Sequence, residues 1–357
     1  MRFALAGGGT GGHAYPSITV GEELRDHAHA DLVYYGSEHG PERALAAAAG
    51  FAYRTIPASQ VRGGPKRMLL GGLNLLRGRW AAKRQLLADH PAALFATGGY
   101  AAAPVGWAAP AARVPLLVFL PDVRPGWAVR FLGHYATRVA CSVDASVASL
   151  PRGRTVVTGY PVRRQFMQAT RAEGIARFGL DPALPTLLVT GGSLGAHRIN
   201  LAIATALPRL LERAQVLHIS GRDEEPWLTA ERERLADPLR ERYHLLGYTE
   251  EMAWAMAAAD LAITRAGAST LGELPMSGLP AIVIPGDFSD QQVNADYLVS
   301  RGAAVALRSS ELGRLEAEAL RLLDDEPARR SMAEAMRTLA RPDAAARLAT
   351  IMQELAA

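Results

Sequence analysis

The stretch that decides the fold is Phe3-Ala-Leu-Ala-Gly-Gly-Gly-Thr-Gly-Gly-His13, in which a short apolar run passes directly into a glycine-rich turn. A four-residue apolar run bounded by glycine is typical of a buried strand. The residues after the turn fit a helix, and the order strand, glycine turn, helix begins a βαβ unit with a parallel sheet. The opening therefore predicts an α/β protein.

Gly7, Gly9 and Gly12 also satisfy the G-x-G-x-x-G fingerprint of dinucleotide-binding proteins. A nicotinamide enzyme should carry an acidic residue at the end of its second strand. Glu38 is the only candidate, and it lies beyond the expected end of that strand. This interpretation also gives no role to the polar motifs in the second half of the chain. An NAD(P)-dependent oxidoreductase is therefore the less favoured alternative.

The opening order recurs about half a chain later in Leu187-Leu-Val-Thr-Gly-Gly-Ser-Leu-Gly-Ala-His197, and more weakly in Leu94-Phe-Ala-Thr-Gly-Gly-Tyr-Ala-Ala-Ala-Pro104. Two strand-first units predict two Rossmann-like domains with parallel sheets that face a central cleft. Gly159 and Pro161 interrupt the pattern, so we expect an N-terminal domain over residues 1–158 and a C-terminal domain over 159–341. Residues 342–357 are expected to form a helix that packs back on the N-terminal domain. The apolar runs that predict strands are residues 3–6, 31–35, 93–96, 116–119 and 138–141, and then 187–190, 215–218, 261–264 and 281–284.

Composition excludes several classes of protein. The chain has 357 residues, of which 49% are hydrophobic and 21% charged, as in globular proteins. Its single cysteine, Cys141, cannot form an intrachain disulfide, which favours a cytoplasmic location, and no secretory signal is expected. No run approaches the roughly 20 apolar residues of a membrane-spanning helix. The net charge of +4 is too small to indicate nucleic acid as a partner.

The charge distribution is more informative than the total. No acidic residue lies between Arg43 and Leu87, a segment rich in arginine and lysine, and such a field attracts anionic partners. The segment contains an apolar stripe at helical spacing beside basic residues, which fits either a helix lying on an anionic bilayer or a face turned to the core. The stripe and its basic neighbours are Leu69, Leu73, Leu76 and Trp80 with Arg77, Arg79, Lys83 and Arg84.

Three motifs in the second half each follow a predicted strand. In Gly191-Gly-Ser-Leu-Gly195 the glycines suit a phosphate and Ser193 adds a hydroxyl, although an ordinary tight turn has the same composition. In Thr264-Arg-Ala-Gly-Ala-Ser-Thr-Leu-Gly-Glu273, Ser269 and Thr270 open a helix, and Glu273 either caps that helix or accepts two ribose hydroxyls. In Pro285-Gly-Asp-Phe-Ser-Asp-Gln-Gln-Val-Asn294, the amides suit sugar hydroxyls, or simply begin a polar helix.

His13 closes the first glycine turn at the carboxyl end of a strand. An isolated histidine is often structural, but here the small neighbours leave it uncovered and its chemistry suits proton transfer near neutral pH. Two facing domains fit group transfer, with a nucleotide-sugar on one and an acceptor on the other. His13 is thus a candidate catalytic or ligand-binding residue.

Taken together, these motifs resemble the MurG family of inverting GT-B glycosyltransferases, which move N-acetylglucosamine from UDP onto an undecaprenyl-diphosphate-linked muramyl peptide. The resemblance rests on GGGTGGHAYP, TGGYAAAP, TGYPVR, TGGSLGAHRIN, TRAGASTLGELPMSGLPAIVIP and DQQVNADYLVSRGAA, in the order of the family and over nearly the whole chain.

The resemblance implies roles for matching positions. The acceptor diphosphate would lie against Thr10, Gly11, Gly12, His13, Gly98, Gly99 and Tyr100. The donor would contact Arg163, Gly192, Ser193, Ser269 and Thr270 through its diphosphate, Glu273 through its ribose, and Gln291 and Gln292 through its sugar. It further implies docking on the inner leaflet of the cytoplasmic membrane through the stripe from Leu69 to Trp80. The residues predict no metal site and no cofactor, because helix N-termini and Arg163 can stabilise the leaving diphosphate.

One segment departs from the family. Where the family has His-Glu-Gln-Asn, this chain has Phe119-Leu-Pro-Asp122, so Asp122 takes the position of an asparagine that touches the donor sugar. Asp122 can accept from a sugar hydroxyl or replace His13 as the general base. A related enzyme with another UDP-sugar or lipid acceptor, and a non-catalytic nucleotide-sugar-binding protein, remain as alternatives.

Overall fold

The structure is a computed structural model that describes residues 1–9, 11–59, 65–192, 196–286 and 291–357, with backbone alone for 65–70. The predicted site residues Thr10 and Ser193 and the side chain of Leu69 lie outside this part of the chain. The described residues form two compact units, Met1–Arg163 with Arg341–Ala357, and Arg164–Ala340. The first unit therefore extends five residues beyond the expected boundary at 158 and includes the C-terminal segment.

The first unit is built on a parallel sheet with, among its described residues, seven strands in the order β3-β2-β1-β4-β5-β6-β7. Ala4 of the first strand pairs with Val33 on one side and Leu94 on the other. The central strands are buried apolar segments, as parallel strands covered on both faces require. The strands are β1 (Arg2–Ala6), β2 (Asp31–Gly36), β3 (Ala52–Thr55), β4 (Leu94–Ala96), β5 (Leu116–Leu120), β6 (Arg138–Cys141) and β7 (Thr155–Val157).

Helices connect these strands, and short 3-10 turns lie at Pro110–Ala112 and Asp144–Ser149. The helices of the first unit are α1 (Gly11–Ala28), α2 (Glu42–Ala48), α3 (Pro65–Asp89), α4 (Gly99–Ala108), α5 (Trp127–Gly133) and, from the end of the chain, α16 (Ala344–Ala356).

The second unit repeats this plan with, in its described part, six parallel strands in the order β10-β9-β8-β11-β12-β13. The strands are β8 (Thr186–Thr190), β9 (Gln215–Ile219), β10 (Tyr243–Leu246), β11 (Leu261–Arg265), β12 (Ala281–Ile284) and β13 (Ala304–Ala306). The helices are α6 (Gln165–Gln168), α7 (Arg171–Phe178), α8 (His197–Arg213), α9 (Glu225–Glu233), α10 (Asp237–Arg240), α11 (Met252–Ala258), α12 (Thr270–Ser277), α13 (Gln291–Ser300), α14 (Leu315–Asp324) and α15 (Glu326–Thr338), with a 3-10 turn at Ser309–Arg314.

Both sheets reverse their strand order at one place, between β1 and β4 in the first unit and between β8 and β11 in the second. In doubly wound sheets the connections leave in opposite directions there, and a crevice opens beyond the carboxyl ends of the two strands. The three glycine turns of the predicted repeat follow β1, β4 and β8. The predicted α/β class with two parallel sheets is confirmed, and every apolar run that predicts a strand contains one.

The last helix, α16, belongs to the first unit and packs against α1 and β5. Leu348 and Met352 of this helix are fully buried. Gly159 makes room for the returning chain, because a Cβ at that position would lie 2.4 Å from the Cβ of Arg341. The end of the sequence thus contributes to the core of the domain in which the sequence begins.

Truncating Leu348 should therefore destabilise the first unit. We expect Leu348→Ala to lower its free energy of unfolding by about 2–5 kcal/mol, the cost of a cavity at a fully buried leucine. Urea unfolding followed by tryptophan fluorescence measures this in a background with Trp227 and Trp254 changed to phenylalanine, so that only the first unit reports. Gln353→Ala, at an exposed position of the same helix, is the control and should change stability little.

Candidate active site

The first glycine turn and the first turn of α1 lie at the carboxyl end of β1, beside the turn that follows β4. The two turns touch through backbone, because a Cβ on Gly99 would lie 2.1 Å from the carbonyl oxygen of Gly8. Gly98 and Gly99 also have φ of 87° and 76°, which favours glycine. The structure therefore brings together the described residues predicted to hold the acceptor diphosphate.

His13 is oriented by two hydrogen bonds to Thr97. Its Nδ1 lies 2.9 Å from the carbonyl oxygen of Thr97, and the Thr97 hydroxyl donates to the carbonyl oxygen of His13 over 2.5 Å. A carbonyl oxygen only accepts, so Nδ1 must carry the hydrogen of the neutral ring. The lone pair then lies on Nε2, which is the atom that can take a proton.

Tyr100 covers the other side of the first glycine turn. A Cβ on Gly9 would meet the Tyr100 ring at 2.7 Å, so the ring packs directly on that glycine. Tyr100 and His13 are both half-buried, which leaves part of each side chain accessible. Both side chains could therefore contact a ligand that lies along the turns after β1 and β4.

In the segment 119–122, which departs from the family, the first three residues are buried and the fourth is half-buried. Phe119, Leu120 and Pro121 are buried, and the Phe119 ring lies 6.1 Å from that of Phe95 and 6.3 Å from that of Tyr160. Asp122 is half-buried and follows the carboxyl end of β5, one strand beyond β4. Of these four residues, Asp122 is therefore the one placed to meet a ligand.

Arg163 ends the main segment of the first unit, and its guanidinium lies 4.8 Å from the centre of the Tyr15 ring on α1. Tyr160, three residues earlier, donates a hydrogen bond of 3.3 Å to the carbonyl oxygen of Gly12. Residues 160–163 thus contact the helix that begins at the first glycine turn. The predicted role of Arg163 toward the donor diphosphate stays a prediction.

In the second unit, β8 passes into Gly191 and Gly192, and α8 begins at His197. Gly192 has φ of 84°, and its N–H donates to the Thr190 hydroxyl over 3.3 Å. Among the described residues, no atom would lie within 4 Å of a Cβ on Gly192. The turn suits a phosphate at the entrance of a long helix.

The turn between β11 and α12 is partly closed upon itself. Thr270 is buried, and its hydroxyl donates to the carbonyl oxygen of Gly267 over 2.5 Å. The half-buried Ser269 is the N-cap residue of α12, and Gly272 occupies the third helical position that a capping box would use. Glu273 therefore does not take part in a capping box, which weakens one of the two predicted roles.

Gln291 is held by the turn that follows β12 and by the end of β11. Its Oε1 accepts from the N–H of Gly286 over 2.8 Å and from Nε of Arg265 over 3.4 Å. Because these two contacts occupy the oxygen, Gln291 is left to offer its amide N–H groups to a ligand. The sequence analysis did not include Arg265 among the site residues. The signal for it was its position in the motif, since it is a cation at the end of a predicted strand and is followed by a polar turn.

The remaining amides of this motif have structural partners. Gln292 donates to Asp296 along the surface of α13 over 2.8 Å, and Asn294 is fully buried and donates to the carbonyl oxygen of Ala266 over 3.1 Å. Asn294 therefore fixes the β11 turn, and the prediction that it reads sugar hydroxyls is wrong because it is buried. The role of Gln292 at the sugar stays a prediction.

A buried polar network lies beneath the start of α8. His218 is fully buried between the Tyr243 hydroxyl, 2.8 Å from Nδ1, and Oδ1 of Asn200, 3.0 Å from Nε2. Burial lowers the pKa of His218 to about 3, so the ring is neutral and serves to orient Asn200. Asn200 in turn donates to Glu224, which also bonds His197. The sequence signal missed here was the polar pair His197 and Asn200 in a helical first turn.

The long helix α3 exposes the predicted apolar stripe. Leu73, Leu76 and Trp80 are 44%, 54% and 64% exposed, whereas Ala82 and Leu86 on its other face are buried. The core-facing alternative is therefore wrong for these three side chains. Arg77, Lys83 and Arg84 are exposed beside them, Arg84 lies over the Trp80 ring at 4.8 Å, and Arg79 lies over the Trp107 ring at 4.4 Å.

No described helix is both long enough and apolar enough to cross a membrane. Among the described residues, no group of three or more histidine, cysteine, aspartate or glutamate side chains is placed to hold a metal ion.

Comparison with known families matches both units. The family model described as Glycosyltransferase family 28 N-terminal domain matches residues 3–141, and that of the Glycosyltransferase family 28 C-terminal domain matches residues 186–348. These matches decide against an oxidoreductase.

Individual relatives are similar over their full length. A protein from Roseiflexus sp. (strain RS-1) is 41% identical over 99% of this chain and 95% of its own. One from Geobacter sulfurreducens is 36% identical over 97% of this chain and 96% of its own. Both are named UDP-N-acetylglucosamine–N-acetylmuramyl-(pentapeptide) pyrophosphoryl-undecaprenol N-acetylglucosamine transferase.

A solved structure shares the fold. The crystal structure of MurG from Acinetobacter baumannii superposes with a TM-score of 0.77 over 99% of both chains, at 24% identity. With the two family matches and the full-length relatives, this agreement confirms the predicted GT-B architecture. The chain belongs to the MurG family of UDP-sugar-dependent glycosyltransferases, within glycosyltransferase family 28.

Proposed function

We infer that this protein transfers N-acetylglucosamine from UDP-N-acetylglucosamine to the muramyl pentapeptide carried on undecaprenyl diphosphate, a step of peptidoglycan synthesis. The observation that carries the proposal is the 41% identity over 99% of the chain to a relative with this activity in its name. The family matches span residues 3–141 and 186–348, which contain the turns of both units at which the candidate site residues lie. The alternatives of another UDP-sugar or of binding without transfer have no comparable support.

We propose that His13 is the general base. The acceptor hydroxyl oxygen attacks the anomeric carbon while Nε2 of His13 takes its proton, and the bond from that carbon to the diphosphate oxygen breaks with inversion. The Thr97 carbonyl oxygen supports this role, because it accepts from Nδ1–H and stabilises the imidazolium that forms. Asp122 is the rival base, since it also follows the carboxyl end of a central strand.

The charge that develops on the departing UDP needs positive partners. The proposed donor contacts are the turn before α8, with Gly192 and Ser193, and the N-terminus of α12, with Ser269 and Thr270. Arg265 adds a guanidinium at the end of β11, and Arg163 is proposed to serve the same diphosphate. Since fixed dipoles and arginines supply this charge, we expect transfer to persist in the presence of a chelator.

The rest of the donor is assigned by chemistry. Glu273 is proposed to accept the two ribose hydroxyls, because a carboxylate offers two acceptor oxygens in one plane. Gln291 is proposed to donate its amide hydrogens to the sugar, since its oxygen is already engaged, and Gln292 lies beside it.

A lipid-linked acceptor requires the enzyme to work at a membrane surface. We propose peripheral association with the inner leaflet through the exposed stripe of α3, whose apolar side chains are flanked by arginine and lysine. Anionic lipid headgroups complement this charge.

The activity is tested directly with purified protein, UDP-N-acetylglucosamine and a short-chain analogue of the lipid-linked muramyl pentapeptide. We expect a β-linked disaccharide product by mass spectrometry and NMR, and much slower transfer from UDP-glucose or UDP-N-acetylgalactosamine. The same product should form in EDTA. Preference for a different UDP-sugar, or binding of UDP without any transfer, would contradict the proposal.

Replacing the base should affect turnover and leave the nucleotide site intact. We expect His13→Ala to lower kcat about 10²- to 10⁴-fold, while the Kd for UDP by calorimetry is unchanged. His27→Ala, at an exposed position of the same helix, is the matched control. Near-normal turnover of His13→Ala combined with a large loss in Asp122→Asn would assign the base to Asp122.

Removing the proposed ribose acceptor should weaken nucleotide binding. We expect Glu273→Ala to raise the Kd for UDP roughly tenfold or more, because two hydrogen bonds to a charged group are lost. Glu233→Ala removes an exposed carboxylate of α9 in the same unit and should leave the Kd unchanged. An unchanged Kd in Glu273→Ala would remove this residue from the nucleotide site.

The membrane proposal predicts loss of vesicle binding when the stripe is made polar. We expect the triple variant Leu73→Ser, Leu76→Ser, Trp80→Ser to bind phosphatidylglycerol vesicles at least about tenfold more weakly, given the transfer free energy of three large side chains. Sedimentation with vesicles measures this, and its salt dependence reports the basic neighbours. Leu201→Ser, a comparably exposed position of the second unit, should bind normally, and undiminished binding of the triple variant would exclude α3 as the contact.

A further inference from the structure

A buried carboxylate lies directly beneath the first glycine turn. Glu42 is the first residue of α2 and is fully buried. Its Oε1 accepts from the N–H and the hydroxyl of Ser37, over 3.0 and 2.6 Å, and its Oε2 accepts from the N–H of Gly9 over 3.2 Å. In all three bonds the carboxylate is the acceptor, which is the role of its ionised form.

The chain makes room for this side chain with glycines. A Cβ on Gly8 would lie 2.4 Å from the carboxyl carbon of Glu42, one on Gly36 would lie 2.8 Å from Cγ, and one on Gly40 would lie 2.1 Å from Oε2. These distances are shorter than non-bonded atoms tolerate. Gly36 and Gly40 lie outside the fingerprint stretch, so two separate parts of the chain make the space around this carboxylate.

The bond to Gly9 determines what the glycine turn can offer to a ligand. Gly9 has φ of 88°, and its N–H is directed to Glu42. The N–H that a glycine-rich turn usually gives to a phosphate is therefore engaged here. Among the described residues, the first turn of α1, which begins at Gly11 and contains His13, still offers backbone donors to an anion at this place.

The same bond fixes the turn against its neighbour. The Tyr100 ring packs on Gly9, and Gly99 lies against the carbonyl oxygen of Gly8. A shift of Gly8 or Gly9 would therefore move both walls of the proposed acceptor site. Glu42 touches neither His13 nor Tyr100 through any of these bonds, so its effect passes through the backbone of the turn.

We propose that Glu42 is a positioning residue for the acceptor: it fixes the first glycine turn so that the first turn of α1 and His13 meet the lipid-linked diphosphate. This inference rests on the proposed function. Two effects of opposite sign act here, since a negative charge close to an anion site opposes binding, whereas the fixed turn favours it. The geometric effect is the larger of the two.

Glu42→Gln separates the two effects, because it removes the charge and keeps the size. The amide has one acceptor oxygen, so its N–H hydrogens must face the N–H of either Gly9 or Ser37, and the pair of bonds that joins these two segments is broken in either case. We expect the KM for the lipid acceptor analogue to rise about 10- to 100-fold, which is the effect expected from the loss of a hydrogen bond to a charged group. The KM for UDP-N-acetylglucosamine and the Kd for UDP should stay within about twofold of wild type.

Two variants and one measurement on the unmodified protein complete the experiment. Ser37→Ala keeps the Gly9 bond and should raise the acceptor KM less than about threefold, and Glu38→Gln, an exposed neighbour, should change nothing. In the wild-type protein, hydrogen–deuterium exchange should show the Gly9 amide protected without any ligand. If Glu42→Gln fails to fold, the exchange measurement and Ser37→Ala decide, and a rapidly exchanging Gly9 amide would overturn the proposal.

The outcomes are distinct from those that test the activity. Absence of transfer by the wild-type protein would overturn the proposed function. Normal wild-type transfer with an unchanged or lowered acceptor KM in Glu42→Gln would overturn only the positioning role. An equal rise in the donor and acceptor KM would also overturn it, because the proposed donor contacts other than Arg163 lie in the second unit, away from the turn that Glu42 supports.

Discussion

The site in the first unit depends on the pair of hydrogen bonds between His13 and Thr97. They join the first turn of α1 to the end of β4, two segments far apart in sequence that meet where the strand order of the sheet reverses. One bond fixes the backbone of the helix entrance and the other fixes the tautomer of the ring. Ser17, one turn further along α1, lies 3.1 Å from the Thr97 hydroxyl and closes this small buried cluster. Without the cluster, a histidine among glycines would have no defined orientation.

In the second unit, different side chains fix the turns at the carboxyl ends of the central strands. Its strand order also reverses at the equivalent place, and the turns around that place are fixed by Asn294, which bonds the carbonyl oxygen of Ala266, and by Gln291, which bonds Gly286 and Arg265. These bonds join the ends of the adjacent strands β11 and β12 through two amides and a guanidinium, and none of them involves a histidine. Arg265 thus places a guanidinium at this edge, where the proposed function has a nucleotide diphosphate, whereas the corresponding edge of the first unit carries His13, the proposed general base.

The sequence predicted the central strands because they are continuous apolar runs, and it missed the edges. β3, β7, β10 and β13 are short and partly exposed, so Ala52–Thr55 contains a tyrosine and an arginine, and Thr155–Val157 has three residues. Edge strands need little apolar sequence, since one side faces solvent or a loop. The glycine turns and His13 were likewise visible, because their chemistry is carried by adjacent residues. The partners of those residues could not be predicted. Thr97 comes next to His13, and Glu42 next to Gly9, only when the strands of the sheet pair.

The same distinction explains the segment that departs from the family. The motif alone suggests that Phe119, Leu120 and Pro121 replace polar site residues, yet all three are buried in the fold. The Phe119 ring packs edge-on against Tyr160, and the Tyr160 hydroxyl bonds the carbonyl oxygen of Gly12. A change of side chain at position 119 therefore reaches the proposed acceptor site by moving Tyr160 and, through it, the first turn of α1. Differences in this segment act on the positions of His13 and its turn through packing, and only Asp122 is placed to act on a substrate by direct contact.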